Sequence, residues 1–176
     1  TVGSLGLDSD YSRVLGTLNH TEDGTYAKLE ADVTAVQQLG HSTDVMVKVS
    51  GQKASRNLDS SEEFYLGGPN GVRAYAQGEG TGDEGALGTA EVRWHTPLRG
   101  LTLSTFYDAG AVRVSKGLDG GADRVTLRGW GVGAAYSEPG DWFARLDYAK
   151  RIGLDPSVSV KNNAKNRVWF MAGKIW

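Results

Sequence analysis

Residues 25–38, TYAKLEADVTAVQQ, alternate without a break: Ala27, Leu29, Ala31, Val33 and Ala35 fall on one side, and Lys28, Glu30, Asp32 and Thr34 on the other. A period of two is the mark of a strand with one apolar and one polar face. The pattern recurs outward from this stretch. Residues 43–53 set Val45, Val47 and Val49 against Asp44, Lys48, Ser50 and Gln52. Residues 87–95 set Ala90, Val92 and Trp94 against Glu91, Arg93 and His95. Residues 101–114 set Leu101, Leu103, Tyr107 and Ala109 against Thr102, Ser104 and Asp108. Residues 124–136 and 141–151 continue the series, the second opposing Ala144, Leu146 and Tyr148 to Arg145, Asp147 and Arg151. Residues 166–176, NRVWFMAGKIW, make a last strand with apolar residues on both faces, and residues 1–8 fit the end of one more. No segment keeps a helical period for three turns, so the chain reads as all-β with about eight strands.

Composition narrows the class. The 176 residues include 25 glycines, 4 prolines and no cysteine, with a net charge of −2. The glycine share is about twice the usual one. No run of about 18 apolar residues exists, which excludes a membrane helix. A mean hydropathy of −0.37 looks soluble, but a membrane barrel has the same average, because every second residue faces a polar lumen. The pI near 5.9 gives no footprint for a nucleic-acid partner. His20, His41 and His95 match no ligand spacing and thiolates are absent, so no metal or other cofactor is expected. No nucleophile–base pair is visible, and an enzyme is not expected. No signal peptide is present, and Thr1 opens in the middle of a pattern, so a processed chain or a fragment is expected.

Strand length and turn length separate the two barrel-like readings. Strands of about 9–14 residues suit a tilted membrane crossing better than the five or six usual in soluble sheets. The connections at 38–42, 96–100 and 137–140 are short, whereas those at 54–86, 115–123 and 153–165 are long. That alternation is the one expected of short periplasmic turns and long outer loops. The small outward residues Ala27, Ala31 and Ala35 would fill a sandwich core poorly, yet lipid accepts them. The tryptophans 94, 130, 142, 169 and 176 lie toward the middles or ends of strands, and some are expected to anchor at the membrane interface.

The longest connection carries FYLGGPNGVRAYAQGEG, residues 64–80. Together with FYDAG at 106–110 and the aromatic last strand, GGPNGVRAY resembles the C-terminal barrel of the two-partner secretion transporters, the ShlB/FhaC/HecB-like haemolysin secretion and activation proteins. The resemblance runs from about Gln52 to Trp176. Ala74 stands where the family usually has glycine, and Lys174 where an apolar residue is more usual.

That resemblance implies a transmembrane antiparallel β-barrel of a Gram-negative outer membrane, of which residues 1–176 are the C-terminal part. The first strands and the POTRA domains would lie outside the chain. It implies that the long loop enters the lumen and that Arg73 pairs with Asp108, with Gly71, Val72, Tyr75 and Glu91 completing a tether or gate. A guanidinium–carboxylate fork is the directional bond that such a hairpin needs if it has little apolar surface to bury. Gly67, Gly68 and Gly71 are read as allowing tight turns at the tip. Lys28, Glu30, Lys48, Arg93 and Arg145 would line the lumen, and Phe170 and Trp176 would form the C-terminal assembly signal. The implied partners are a secreted exoprotein substrate, outer-membrane lipid and the barrel assembly machinery, with no nucleic acid. Self-association of the fragment is one way to cover its open edges. The alternatives are an outer-membrane assembly factor of the same superfamily and a small soluble barrel that binds a ligand.

Overall fold

A computed structural model describes residues 2–5, 24–114, 123–138, 141–153 and 164–174. Among these residues ten strands follow one another: β1 (Val2–Leu5), β2 (Gly24–Gln38), β3 (Thr43–Ala54), β4 (Phe64–Tyr65), β5 (Thr81–Gly82), β6 (Glu84–His95), β7 (Leu101–Val114), β8 (Asp123–Ser137), β9 (Trp142–Arg151) and β10 (Asn166–Lys174). Eight form one sheet in the order β1-β2-β3-β6-β7-β8-β9-β10, and all its described pairings are antiparallel. β4 and β5 pair with each other inside the long connection. No described residue is helical. The long strands hold 9 to 15 residues, enough to cross a bilayer at a tilt.

The register puts the sequence alternation on two continuous faces. Val47 pairs with Ala35 on one side and Ala90 on the other, and Ala90 pairs with Tyr107. Trp130 then pairs with Tyr107 and Lys150, and Leu146 with Ala134 and Phe170. The middle of this face is apolar and exposed: Leu29, Val33, Val49, Val132, Leu146 and Phe170 are all open. Exposed apolar area on this scale needs an apolar surrounding, which lipid supplies. The other face carries Glu30, Lys48, Glu91, Asp108 and Asp147.

The connection 55–83 lies against the charged face. Its contacts also show that the sheet curls. Arg73 bonds Glu91 on β6 and Asp108 on β7, and its carbonyl oxygen accepts a hydrogen bond from Trp169 on β10. In a flat sheet β6 and β10, four steps apart, would be separated by about 19 Å. A sheet wrapped around the loop brings them within reach of one residue. This is a segment of barrel wall with the loop inside, and among the described residues β1 and β10 are its two edges.

The loop is packed as well as bonded. Leu66, Val72, Ala74 and Tyr75 are buried with Leu87, Phe106, Val112, Val125, Leu127 and Ala149 of the wall. The sequence-based expectation of a hairpin with little apolar surface is therefore wrong. Toward the long-loop end the inward face offers Leu87, Val112, Val125, Leu127 and Ala149, and the loop buries its own apolar residues there.

Candidate functional site: the loop seat

Local backbone geometry aims Arg73 at the wall. Residues 67–71, GGPNG, make a tight excursion that closes where the Val72 N–H donates to the Leu66 carbonyl at 2.7 Å. Only Gly68 of the three tip glycines has a left-handed backbone, with φ of 130°. The other two serve close approach: a Cβ on Gly71 would sit 2.0 Å from the Leu66 oxygen, and one on Gly67 2.3 Å from the Ala76 oxygen. The tip is thus tight mainly because backbone lies on backbone, rather than because three left-handed turns are needed.

Arg73 is surrounded by four partners. Its Nε and Nη2 donate to Asp108 Oδ2 and Oδ1, each at 2.9 Å, a two-pronged fork. Its backbone N–H donates to the same Oδ2 at 3.1 Å. Nη1 donates to Glu91 Oε2 at 2.9 Å and lies 4.0 Å from Asp147 Oδ1. The guanidinium rests on the Phe106 ring, 3.2 Å from its centre. The side chains of Arg73 and Asp108 are 4% and 0% exposed. Thr89 Oγ1 gives Asp108 a further hydrogen bond at 3.0 Å. An isolated charge at such depth is very costly, and this one is tolerable because each guanidinium nitrogen is hydrogen-bonded to a carboxylate.

A second arginine holds the loop from the other side. Arg151 of β9 donates to the Ala74 carbonyl at 3.2 Å, pairs with Glu79 at 2.9 Å, and stacks on the Tyr75 ring at 4.3 Å. Glu79 in turn accepts from the Ala76 N–H at 2.9 Å. Between the two arginines lies a trench in β8, whose inward residues are Gly129, Gly131 and Gly133. A Cβ at Gly129 would come within 2.6 Å of the Ala74 Cβ, and one at Gly131 within 2.3 Å of Phe106 Cζ. At Gly133 it would meet Asp147 Oδ1 at 2.4 Å. The missing side chains are the space in which Ala74, Phe106 and Asp147 sit.

The structure brings Gly71, Val72, Arg73, Tyr75, Glu91 and Asp108 together. The remaining candidates divide. Arg145 joins the network, 2.7 Å from Asp147 and 3.8 Å from Glu91. Lys48 lines the cavity beside Arg73, Glu91 and Arg145. Lys28 stands apart, bound to Glu62 at 2.6 Å and Glu30 at 3.1 Å near the root of the loop. Arg93 does not extend the Arg73 network: it pairs with Asp44 at 2.6 Å, and His95 Nε2 lies 2.6 Å from the other Asp44 oxygen. Phe170 faces outward on β10, and Trp176 lies outside the described residues. Trp94, Trp130 and Trp142 are exposed on the outward face, but Trp169 points inward and donates to the Arg73 carbonyl at 2.7 Å. It is a strut for the loop and not an interfacial anchor.

At the root of the loop, the Ser61 N–H and hydroxyl, 3.0 and 2.8 Å away, hold the Asp59 carboxyl below its ordinary range. Burial pushes Glu63 the other way. Phe106, Asp147, Glu79 and Trp169 were not singled out from sequence. Strand parity placed Asp147 and Arg151 on the charged face, and Phe106 lay within FYDAG. Glu79, which the sequence offers as one of a solvated acidic set flanking the loop, is instead half-buried against Arg151, and nothing in sequence marked the inward turn of Trp169.

The chain is similar to known proteins. The chain is 32% identical over 131 residues to the heme/hemopexin transporter protein HuxB of Haemophilus influenzae (strain ATCC 51907 / DSM 11121 / KW20 / Rd), a match covering 70% of this chain and 22% of HuxB. HuxB of strain 86-028NP is 31% identical over 130 residues, with the same coverage. The chain thus spans about a fifth of the length of these curated relatives. CdiB from Acinetobacter baumannii shares the fold, with a TM-score of 0.63 over 86% of this chain and 27% of CdiB at 17% identity. The family model for haemolysin secretion/activation protein ShlB/FhaC/HecB matches residues 2–136, well over half of the sequence, and the chain belongs to that family.

Proposed function

We propose that this chain is the loop-bearing part of an outer-membrane pore that exports a large, extended exoprotein by two-partner secretion. The carrying observation is the loop 55–83 seated on the inward face by Arg73, Asp108 and Glu91. A loop fixed there fills the passage or braces its wall, and its seat governs whether a polypeptide can thread through. The work is physical, without catalytic chemistry. Lys28, Glu30, Lys48, Arg93 and Arg145 offer a wet path of mixed charge, to which an unfolded chain adheres weakly. Family membership supports an outer-membrane location, and the apolar outward face agrees with it. The exoprotein partner is supported by the family alone. HuxB is named for heme/hemopexin transport, which points to a cargo of the haem-acquisition type as one candidate class.

The experiment is Arg73→Ala in the full gene product, scored for exoprotein at the cell surface and for barrel insertion by heat-modifiable gel mobility. Secretion should fall to a small fraction while insertion persists. Adding Asp108→Ala should cost little more, because the two act as one unit. Secretion at the wild-type level from Arg73→Ala would sink the proposal.

A further inference from the structure

The outward face changes character toward the ends from which the long connections leave. Its middle is apolar, but beyond Tyr107, Trp130 and Tyr148 the same parity brings Arg113 on β7, Arg124 and Arg128 on β8, and Lys150 on β9. All four are exposed. Arg113 and Arg124 are direct cross-strand partners. Lys150 pairs with Trp130, two residues from Arg128, which places these two cations on a diagonal. Like charges set directly opposite each other destabilise a sheet. Among the described residues one carboxylate relieves them: Glu84, 3.7 Å from Arg113 Nη1. No described carboxylate pairs with Arg124, Arg128 or Lys150.

The position of this ladder matters as much as its charge. Arg128 lies about 7 Å along β8 from Trp130, and Arg124 about 14 Å farther. The cations therefore begin where the apolar belt ends and continue outward, at headgroup depth. Short periplasmic turns and long outer loops place this end in the outer leaflet. The opposite rim differs: there Lys174 lies 3.8 Å from Asp141 and 5.3 Å from the Trp142 ring centre, a cation already met by an anion and a ring.

We propose that Arg113, Arg124, Arg128 and Lys150 bind the phosphates of an outer-leaflet lipid whose headgroup carries two of them. Guanidinium groups match phosphate geometry with paired hydrogen bonds, and two phosphates spread over the ladder would neutralise the opposed arginines. The ligand lies on the outside of the wall, so this site is independent of the export reading. It needs only that the outward face meets lipid.

The test uses the full gene product in detergent, equilibrated with bis-phosphorylated lipid A, with the dephosphorylated form, and with bis-phosphorylated lipid A plus excess inorganic phosphate. Retained lipid is counted by native mass spectrometry. Wild-type protein should keep the phosphorylated lipid and lose the dephosphorylated one. Arg124→Gln with Arg128→Gln should lower retention roughly thirty-fold for the two charges removed, whereas Lys174→Gln should leave it unchanged. Equal retention of both lipid forms by the wild type overturns the proposal, even if the double variant fails to insert. So does unchanged retention in an inserted double variant. Complete displacement by inorganic phosphate would make it a free-anion site and reject the lipid assignment.

Discussion

Two of the ionic clusters on the inward face each join an arginine to an aspartate, but to different standards. In one, Arg73 meets Asp108 and Glu91 under the loop, with side chains 4%, 0% and 7% exposed. In the other, toward the short-turn end, Asp44 meets Arg93 and His95, whose side chains are 29% and 51% exposed. The distances in the second are shorter, 2.6 Å against 2.9 Å. Distance is therefore a poor guide to what each is worth. Burial decides, because removing one partner of a desolvated pair strands a charge, whereas water takes the place of a lost partner at an open pair.

The largest expected effect follows from that contrast. Arg73→Ala should weaken loop docking by about 3–5 kcal/mol, since Asp108 is left buried without its counter-charge and Glu91 keeps only Arg145, 3.8 Å away. Hydrogen exchange read at the Val72–Tyr75 amides should then approach that of a free loop. Retained protection there would show that the apolar packing of Leu66, Val72 and Tyr75 is the main hold, and that the ionic cluster is secondary.

A second outcome checks that both clusters lie on the side away from lipid. Val47→Lys, on the outward face, should cost about 2–4 kcal/mol at bilayer depth. Thr34→Lys, on the inward face of the neighbouring strand, should cost far less. Comparable insertion of the two variants into liposomes would undo the assignment of faces.

Glu91→Gln should cost about 1.5–3 kcal/mol, the worth of a hydrogen bond to a charged group. It leaves the Asp108 fork intact and so should loosen the loop without releasing it. At the weak end, Arg93→Gln or Asp44→Asn should change stability by less than about 1 kcal/mol, and added salt should shrink the difference further. A loss at Arg93 as large as at Arg73 would erase the distinction between the clusters. Denaturant unfolding in detergent would measure both.

Strand parity carried most of the architecture. The strand from 101 to 114 has the limits that alternation predicts, β2 and β3 differ by one residue at one end, and β8 by one at each end. β6 begins three residues earlier than expected, at Glu84, because Gly85 and Ala86 break the alternation yet still hold the ladder with Val112 and Ala111. The paired residues β4 and β5 are too short for any period to show. Within the site, the Arg73–Asp108 pairing was implied by family resemblance. The parity of Asp108 placed it on the correct face, but no local signal gave its partner. The facing of Trp169 was likewise left open by the sequence. An aromatic residue in a strand with apolar residues on both sides has no polar neighbour to report its facing, and only the register with Asp147 settles it.

The β8 trench ties together two residues that are remote in sequence. Ala74 is tolerated where its family usually has glycine because Gly129 leaves its methyl group room, and a Cβ at 129 would lie 2.6 Å from that methyl. One small methyl group is all that the space between them holds. A side chain at 129 therefore displaces the one at 74, and the two positions set the depth of the loop's seat jointly.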